Sequence, residues 1–222
     1  MSTTAVEPGS SELIEVWDVP HSAEYHHQGR PGTRPELYLH YRVAAQLRRA
    51  RQRLKEFCTR GRNYDLLVWD GFRSEEAQQS IFEEYKASLM TKHQLNSIDA
   101  HKAALTFVSD PSSVFPHGTG GTVDLTLTIN SEPANMGTGF DEFTNQAHRD
   151  WYLHNPPVDQ QAWEAHRNRI LLNRAMRSAG FIGLDDEWWH FEWGTQRWAK
   201  SLKHDVMLAS TLSYPPVTEP AA

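Results

Sequence analysis

Two separated stretches of this chain carry residues whose types and spacing suit hydrolytic chemistry. The first runs Phe115-Pro116-His117-Gly118-Thr119-Gly120-Gly121-Thr122-Val123-Asp124, and the second is Glu187-Trp188-Trp189-His190. Together they offer two imidazoles and two carboxylates. His117, Asp124 and His190 make the donor set of a catalytic zinc site, which keeps one position open for water. Glu187 is then the spare carboxylate, a base beside that water. Each piece alone has a plainer reading. Asp124 fits a structural side chain on a threonine-rich strand, and His190 fits a packed, hydrogen-bonded histidine. The pairing says more than either part, because each stretch supplies what the other lacks.

Positioning these groups requires particular elements. Val123, Leu125, Leu127 and Ile129 alternate with Asp124, Thr126 and Thr128. That period of two predicts a half-buried strand with Asp124 on its polar side. Gly118, Gly120 and Gly121 allow a tight turn that brings His117 back towards Asp124. On a regular strand Glu187 and His190 would face opposite ways. Either the backbone bulges there, or Glu187 reaches around from the adjacent edge. Upstream, helical spacing of Val43, Leu47, Ala50, Leu54 and Phe57 predicts a helix over 38–57. The apolar run Leu66–Trp69 predicts a short strand, ending in Asp70-Gly71-Phe72-Arg73. Ser74 is placed to cap a following helix with Glu75 and Glu76 in its first turn. A further helix over 161–179 meets Gly180, which suits the left-handed residue that ends it. Helices and strands mixed in this way predict an α+β chain with an antiparallel sheet.

Composition narrows the classes. With 222 residues, 39% of them hydrophobic, the chain can bury one substantial core. One domain is expected over 13–213. A small, polar N-terminus (1–12) and a proline-bearing tail (214–222) are expected to be flexible. The net charge of -6 and the pI near 6.0 argue against a nucleic-acid partner. The basic run from Arg48 to Arg53 reads as the solvated face of a helix. His26 and His27 read as surface residues, since no ligand partner stands at a useful local spacing. Cys58 is the single cysteine, which excludes an internal disulfide and a cysteine-based zinc site. It reads as a small buried side chain. The first residues lack a basic start and an apolar stretch, and no apolar run is long enough to cross a bilayer. The expectation is a cytoplasmic protein with no membrane partner. Four of the eight tryptophans (Trp188, Trp189, Trp193, Trp198) crowd the second stretch and predict a walled cleft there.

The segment His117-x-x-Gly120-x-x-x-Asp124-Leu125-Thr126-Leu127, with Glu187-Trp188-Trp189-His190, closely resembles the zinc D-alanyl-D-alanine dipeptidases of the VanX type. Leu67-Val68-Trp69-Asp70-Gly71-Phe72-Arg73 resembles the family's arginine-bearing strand. Met136–Phe143 with His148, and Arg167–Phe181, resemble two further segments in the same order. The similarity runs from about residue 37 to 200. It implies a compact hedgehog/DD-peptidase fold, an antiparallel sheet flanked by helices. It implies one zinc per chain on His117, Asp124 and His190, with Glu187 as catalytic base. Arg73 would stabilise the developing oxyanion and Asp141 would hold the substrate's ammonium group. Phe115 and Trp189 are expected at the rim of the substrate pocket. The implied substrate is a small free dipeptide of the peptidoglycan world, D-Ala-D-Ala or a close relative. The chain departs from the family at Phe115, where a serine is usual, at Thr122, where alanine is common, and at Thr119, often arginine. The same ligand pattern also occurs in peptidoglycan carboxypeptidases and endopeptidases of this fold. A third reading is a zinc-containing binding module without catalysis, against which Glu187 stands as a base with no structural use.

Overall fold

The computed structural model describes residues 12–57, 61–106 and 108–212. Cys58 and the two terminal stretches discussed above lie outside these residues, apart from Glu12.

The strands are β1 (Leu13–Glu15), β2 (Tyr38–His40), β3 (Tyr64–Asp70), β4 (Thr122–Ile129), β5 (Glu132–Pro133), β6 (Ile182–Gly183) and β7 (His190–Glu192). The helices are α1 (Glu24–His27), α2 (Tyr41–Phe57), α3 (Glu75–His93), α4 (Ser97–Ala104), α5 (Trp151–His154), α6 (Gln160–Ser178) and α7 (Gln196–Leu202). The main sheet has the order β3-β4-β7-β6, with β5 paired to β4, and every pairing is antiparallel. β1 and β2 form a separate antiparallel pair. This is the single α+β domain that the alternation of elements predicts.

α2 begins three residues later than its apolar spacing predicts. Tyr38, Leu39 and His40 pair with Glu15, Ile14 and Leu13 instead. Those β1 partners lie far upstream, so helical periodicity within 38–57 cannot reveal them. The arginine run on α2 is also less solvated than expected. Arg48 makes a two-pronged bond to Asp18, 2.8 Å on each arm, and Arg51 a two-pronged bond to Asp65, 2.6 Å on each arm. These pairs clamp the helix to β3 and to the chain after β1. Ser74 caps α3 by accepting from the Ala77 amide at 3.1 Å. Asp159 does the same for α6, accepting from the Ala162 amide at 2.8 Å. Gly180 lies just beyond α6 with φ 86°, a left-handed geometry that costs an L-residue about 1–2 kcal/mol.

Val43 and Leu47 of α2, Leu172 and Met176 of α6, and Val123, Leu125 and Leu127 of β4 share one hydrophobic cluster. Two helices thus cover the apolar face of the sheet. The other face is covered as well, so β4 is wholly buried up to Thr128 and not half-exposed. A second cluster, with Tyr25, Ile81, Phe82, Ala104 and Val108, belongs to α1, α3 and α4, and Phe140 packs against both clusters. β4 lies between β3 and β7, so period-two polarity marks here a second buried side and not a solvent-facing one. Among the described residues, no helix is long and apolar enough to cross a membrane.

Candidate metal centre and active-site cleft

The sheet brings the reactive side chains into a row. Asp124 on β4 pairs with His190 on β7 and, on its other side, with Asp70 on β3. The second pairing depends on a β-bulge: the register shifts between Val68 and Asp70, so one extra β3 residue places Asp70 opposite Asp124. His117 comes from the 3-10 turn His117–Thr119 just before β4. Gly120 ends that turn at φ 66°, and a Cβ there would lie 2.7 Å from the His40 amide nitrogen. A side chain at Gly118 would lie 2.7 Å from the Phe115 ring. The glycines therefore serve close approach as much as turning.

His117, Asp124 and His190 each offer a ligand atom, and these atoms lie within 4.8 Å of one another. The two imidazole centroids are 5.2 Å apart. His117 Nε2 is 3.3 Å from Asp124 Oδ2, and His190 Nδ1 is 3.0 Å from Asp124 Oδ1. Asp124 Oδ1 nevertheless has no aligned hydrogen-bond partner and is buried. Donor atoms that approach closely without aligning on one another are aimed at a shared third body. The far side of each ring is tied down. His117 Nδ1 donates to the Gly71 carbonyl at 2.8 Å, with Asp70 Oδ2 3.1 Å away. His190 Nε2 donates to Glu192 Oε1 at 3.0 Å. This network assigns the protons to the outer nitrogens and leaves the inner nitrogens free to ligate. Two imidazoles and one carboxylate, with room for water, fit a divalent ion of zinc type.

The electrostatics agree. Burial raises the Asp124 carboxyl, but His117 and His190 beside it more than offset this and hold it well below the usual carboxylate range. Burial disfavours a charged His190, yet Asp124 and Glu192 push it up to about 10. A metal ion bound here would displace that proton. Burial pushes Glu187 up to about 7, against the pull of His190. Burial likewise pushes Asp141 up to about 6, opposed by the Tyr25 hydroxyl that donates to it at 2.8 Å.

His117, Asp124, His190, Glu187, Arg73, Asp141 and Phe115 all line one cleft of about 260 Å³ between the sheet and α3. Glu187 Oε2 is 3.7 Å from His190 Nδ1. It stands ahead of β7 between two bends, so the strand rule that would oppose it to His190 does not apply. Arg73 turns into the site from the end of β3. It is buried, bonding Asp70 Oδ2 through Nη2 (2.8 Å) and Nε (3.0 Å) and Gln78 Oε1 through Nη1 (2.9 Å). Its Nη2 also lies 3.7 Å from Asp124 Oδ2, and its guanidinium stacks 4.8 Å from the Tyr25 ring centroid. Phe115 is buried where it bounds the cleft.

Trp189 is placed differently from the expectation of a rim contact. It does not line the cleft. Its indole is fully buried against Trp188, Phe140 and Phe143, with ring centroids 5.4, 5.9 and 6.3 Å away. Its carbonyl accepts from the Leu125 amide at 3.1 Å, which pins the backbone into the sheet and turns the ring inward. Sequence reasoning missed Tyr25, Asp70, Gln78, Glu192 and Arg197 as cleft neighbours. One of these had a usable signal: Glu192 stands two residues beyond His190 on a strand, hence on the same face.

The model of the family described as "D-ala-D-ala dipeptidase" (Peptidase_M15) matches residues 37–207. The chain is 31% identical over 154 residues to a D-alanyl-D-alanine dipeptidase of Synechocystis sp., covering 62% of each chain. It is 32% identical over 128 residues to one of Escherichia coli, covering 57% of this chain and 54% of that protein. The chain thus spans less than two thirds of the length of these relatives. Its fold resembles that of VanYB solved in complex with D-alanine-D-alanine, with a TM-score of 0.52 and 16% identity over 88% of this chain and 85% of the other. With the family pattern matched across most of its length, this chain belongs to the D-Ala-D-Ala dipeptidase family.

Proposed function

We propose that this protein is a zinc-dependent dipeptidase that hydrolyses free D-Ala-D-Ala or a closely related dipeptide, in the cytoplasm, as part of cell-wall peptide metabolism. One observation carries the reading. Three ligand atoms, a buried carboxylate poised near neutrality, a buried guanidinium and a second, half-buried carboxylate all open into one cleft. Family membership and the names of the relatives point the same way.

His117, Asp124 and His190 would hold the ion, which when bound supplies Lewis acidity, polarising a carbonyl and easing the ionisation of water. Glu187 takes the proton from the attacking water and later gives it to the leaving amine, so water's oxygen ends on the acyl carbon and its hydrogen on the new amino group. Its raised pKa, near 7, suits both halves of that task. Arg73 meets the negative charge that grows on the carbonyl oxygen. Asp70 and Gln78 hold it in place beforehand, so little reorganisation is needed at the moment of reaction. Asp141 accepts from Tyr25 and keeps its remaining lone pairs for the substrate ammonium. A substrate without that ammonium leaves the half-buried Asp141 carboxylate with the Tyr25 hydroxyl alone, a cost of about 1–3 kcal/mol that selects free dipeptides. Phe115 supplies an apolar wall where the family usually has a hydroxyl. Trp189 packs behind Phe143, a second apolar residue of the cleft lining.

The test is hydrolysis of D-Ala-D-Ala, L-Ala-L-Ala, the mixed dipeptides and a stem pentapeptide, each with zinc and with chelator. The expected result is zinc-dependent cleavage of D-Ala-D-Ala and none of the pentapeptide. Zinc-loaded protein that cleaves no dipeptide overturns the reading, and preferential cleavage of the pentapeptide moves it to a carboxypeptidase.

A further inference from the structure

We infer that Glu192 is a positioning residue of the metal centre, fixing the tautomer and orientation of His190 through a buried network completed by Thr195 and Arg197. The inference rests on His117, Asp124 and His190 being the metal ligands, and it concerns what lies behind them.

Glu192 is 1% exposed, although it is a carboxylate two residues from the cleft wall. A buried carboxylate is costly unless each oxygen is engaged. Here both are. Oε1 accepts from His190 Nε2 at 3.0 Å, and Oε2 accepts from the Thr195 hydroxyl. Arg197 Nη2 lies 2.9 Å from Oε1 and supplies the counter-charge. Local structure explains the placement. His190 and Glu192 are two apart on β7 and share a face. Thr195 caps α7, accepting from the Trp198 amide at 3.2 Å, and α7 then presents Arg197 in its first turn.

The consequence for His190 is specific. A proton held on Nε2 by a carboxylate leaves only Nδ1 to face Asp124 and the cleft. The ionised carboxylate also makes the imidazole a better donor to a cation. Without it the ring can flip or exchange tautomers, and the ligand set loses its third member for part of the time. His117 is served differently, by the Gly71 carbonyl with Asp70 nearby. Only the His190 side has a carboxylate as its hydrogen-bond acceptor, so the inference predicts an asymmetry between the two ligands.

The experiment uses the full chain with Glu192→Gln and Glu192→Ala. Three quantities are read: zinc affinity by competition with a chromophoric chelator, the thermal midpoint of the metal-free protein, and the His190 ring nitrogens by NMR of the zinc-loaded form. Glu192→Ala is expected to weaken zinc by about 10- to 100-fold. Glu192→Gln retains an oxygen that can accept from Nε2, and should recover part of that loss and keep the Nε2-protonated tautomer. Should Glu192→Ala fail to fold, Glu192→Gln still decides, through its affinity and its ring spectrum. Zinc affinity within twofold of wild type in both variants, or a His190 ring that keeps its Nε2-protonated tautomer unchanged in Glu192→Ala, overturns the inference. Wild-type protein that binds no zinc would instead overturn the ligand set itself.

Discussion

Replacing Asp141 by asparagine isolates one charge. Asp141 has φ 56°, and asparagine is among the few residues that accept this left-handed backbone. Its amide oxygen can still receive the Tyr25 hydroxyl, which donates to Asp141 Oδ2 at 2.8 Å. The negative charge goes, and the arm that faced the ammonium becomes an amide donor, which cannot receive it. Hydrogen bonds to charged groups contribute about 1.5–3 kcal/mol. The loss at the substrate ammonium is then about 1.5–3 kcal/mol, or roughly 10- to 150-fold in KM for a free dipeptide. An N-acetylated dipeptide has no ammonium to lose, so its already poor KM should hold steady or improve. The same substitution has a signature in the metal-free protein. Burial raises the Asp141 carboxyl from 3.8 to about 6. A folded-state pKa raised above the unfolded value means the folded form binds the extra proton between those two pH values. Stability therefore falls as pH climbs from about 4 to 6 and stays lower above it. Asparagine escapes that loss. The variant should match wild type below pH 4 and exceed it above pH 6, by about 1–3 kcal/mol once solvent at this half-buried residue is allowed for. Denaturant melts at pH 4 and pH 7.5, with Michaelis constants for free and acetylated dipeptides, read both effects. An equal rise in KM for both substrates, or a variant less stable at pH 7.5, would refute the argument.

Other substitutions separate the remaining roles. Glu187→Gln should keep full zinc stoichiometry while kcat drops by about 10²- to 10⁴-fold, and retained turnover removes it as the base. His117→Ala or His190→Ala should leave the protein metal-free after dialysis, as read by elemental analysis, and unchanged zinc content rejects the ligand set. Arg73→Ala should lower kcat by about 10²- to 10³-fold and also lower the melting temperature, because Asp70 is left buried without its guanidinium. An effect confined to KM would argue against an oxyanion contact. Phe115→Ala should destabilise the fold by about 3–5 kcal/mol, since its ring is 1% exposed. A neutral effect in a denaturant melt would show that the ring does not pack as described.

The site was more legible than its surroundings. Donor chemistry is written in residue types, and His117, Asp124, His190 and Glu187 could be named from two short stretches. The strand carrying Asp124 announced itself by alternation, and Ser74 and Gly180 marked helix ends by their own conformational preferences. What stayed hidden depends on contacts between distant elements. The bulge that sets Asp70 beside Asp124 is a register shift between strands, with no local signature in Leu67-Val68-Trp69-Asp70. Tyr25 reaches Arg73 and Asp141 across 48 and 116 residues. The double tryptophan invited a rim role for Trp189, yet its carbonyl is committed to β4 and its indole lies inward. Glu192 was within reach, because two-residue spacing on a strand is enough to place it behind His190.

The row Asp70, Asp124, His190 runs across three hydrogen-bonded strands, whereas Asp141, Phe115 and Glu187 stand on the connections between elements. Backbone pairing thus guards two of the three ligands and the carboxylate that seats Arg73, while the base and the substrate contacts hang on connecting segments. A change in those segments can retune which peptide fits without loosening the grip on the ion, provided that it leaves Glu187 where it stands.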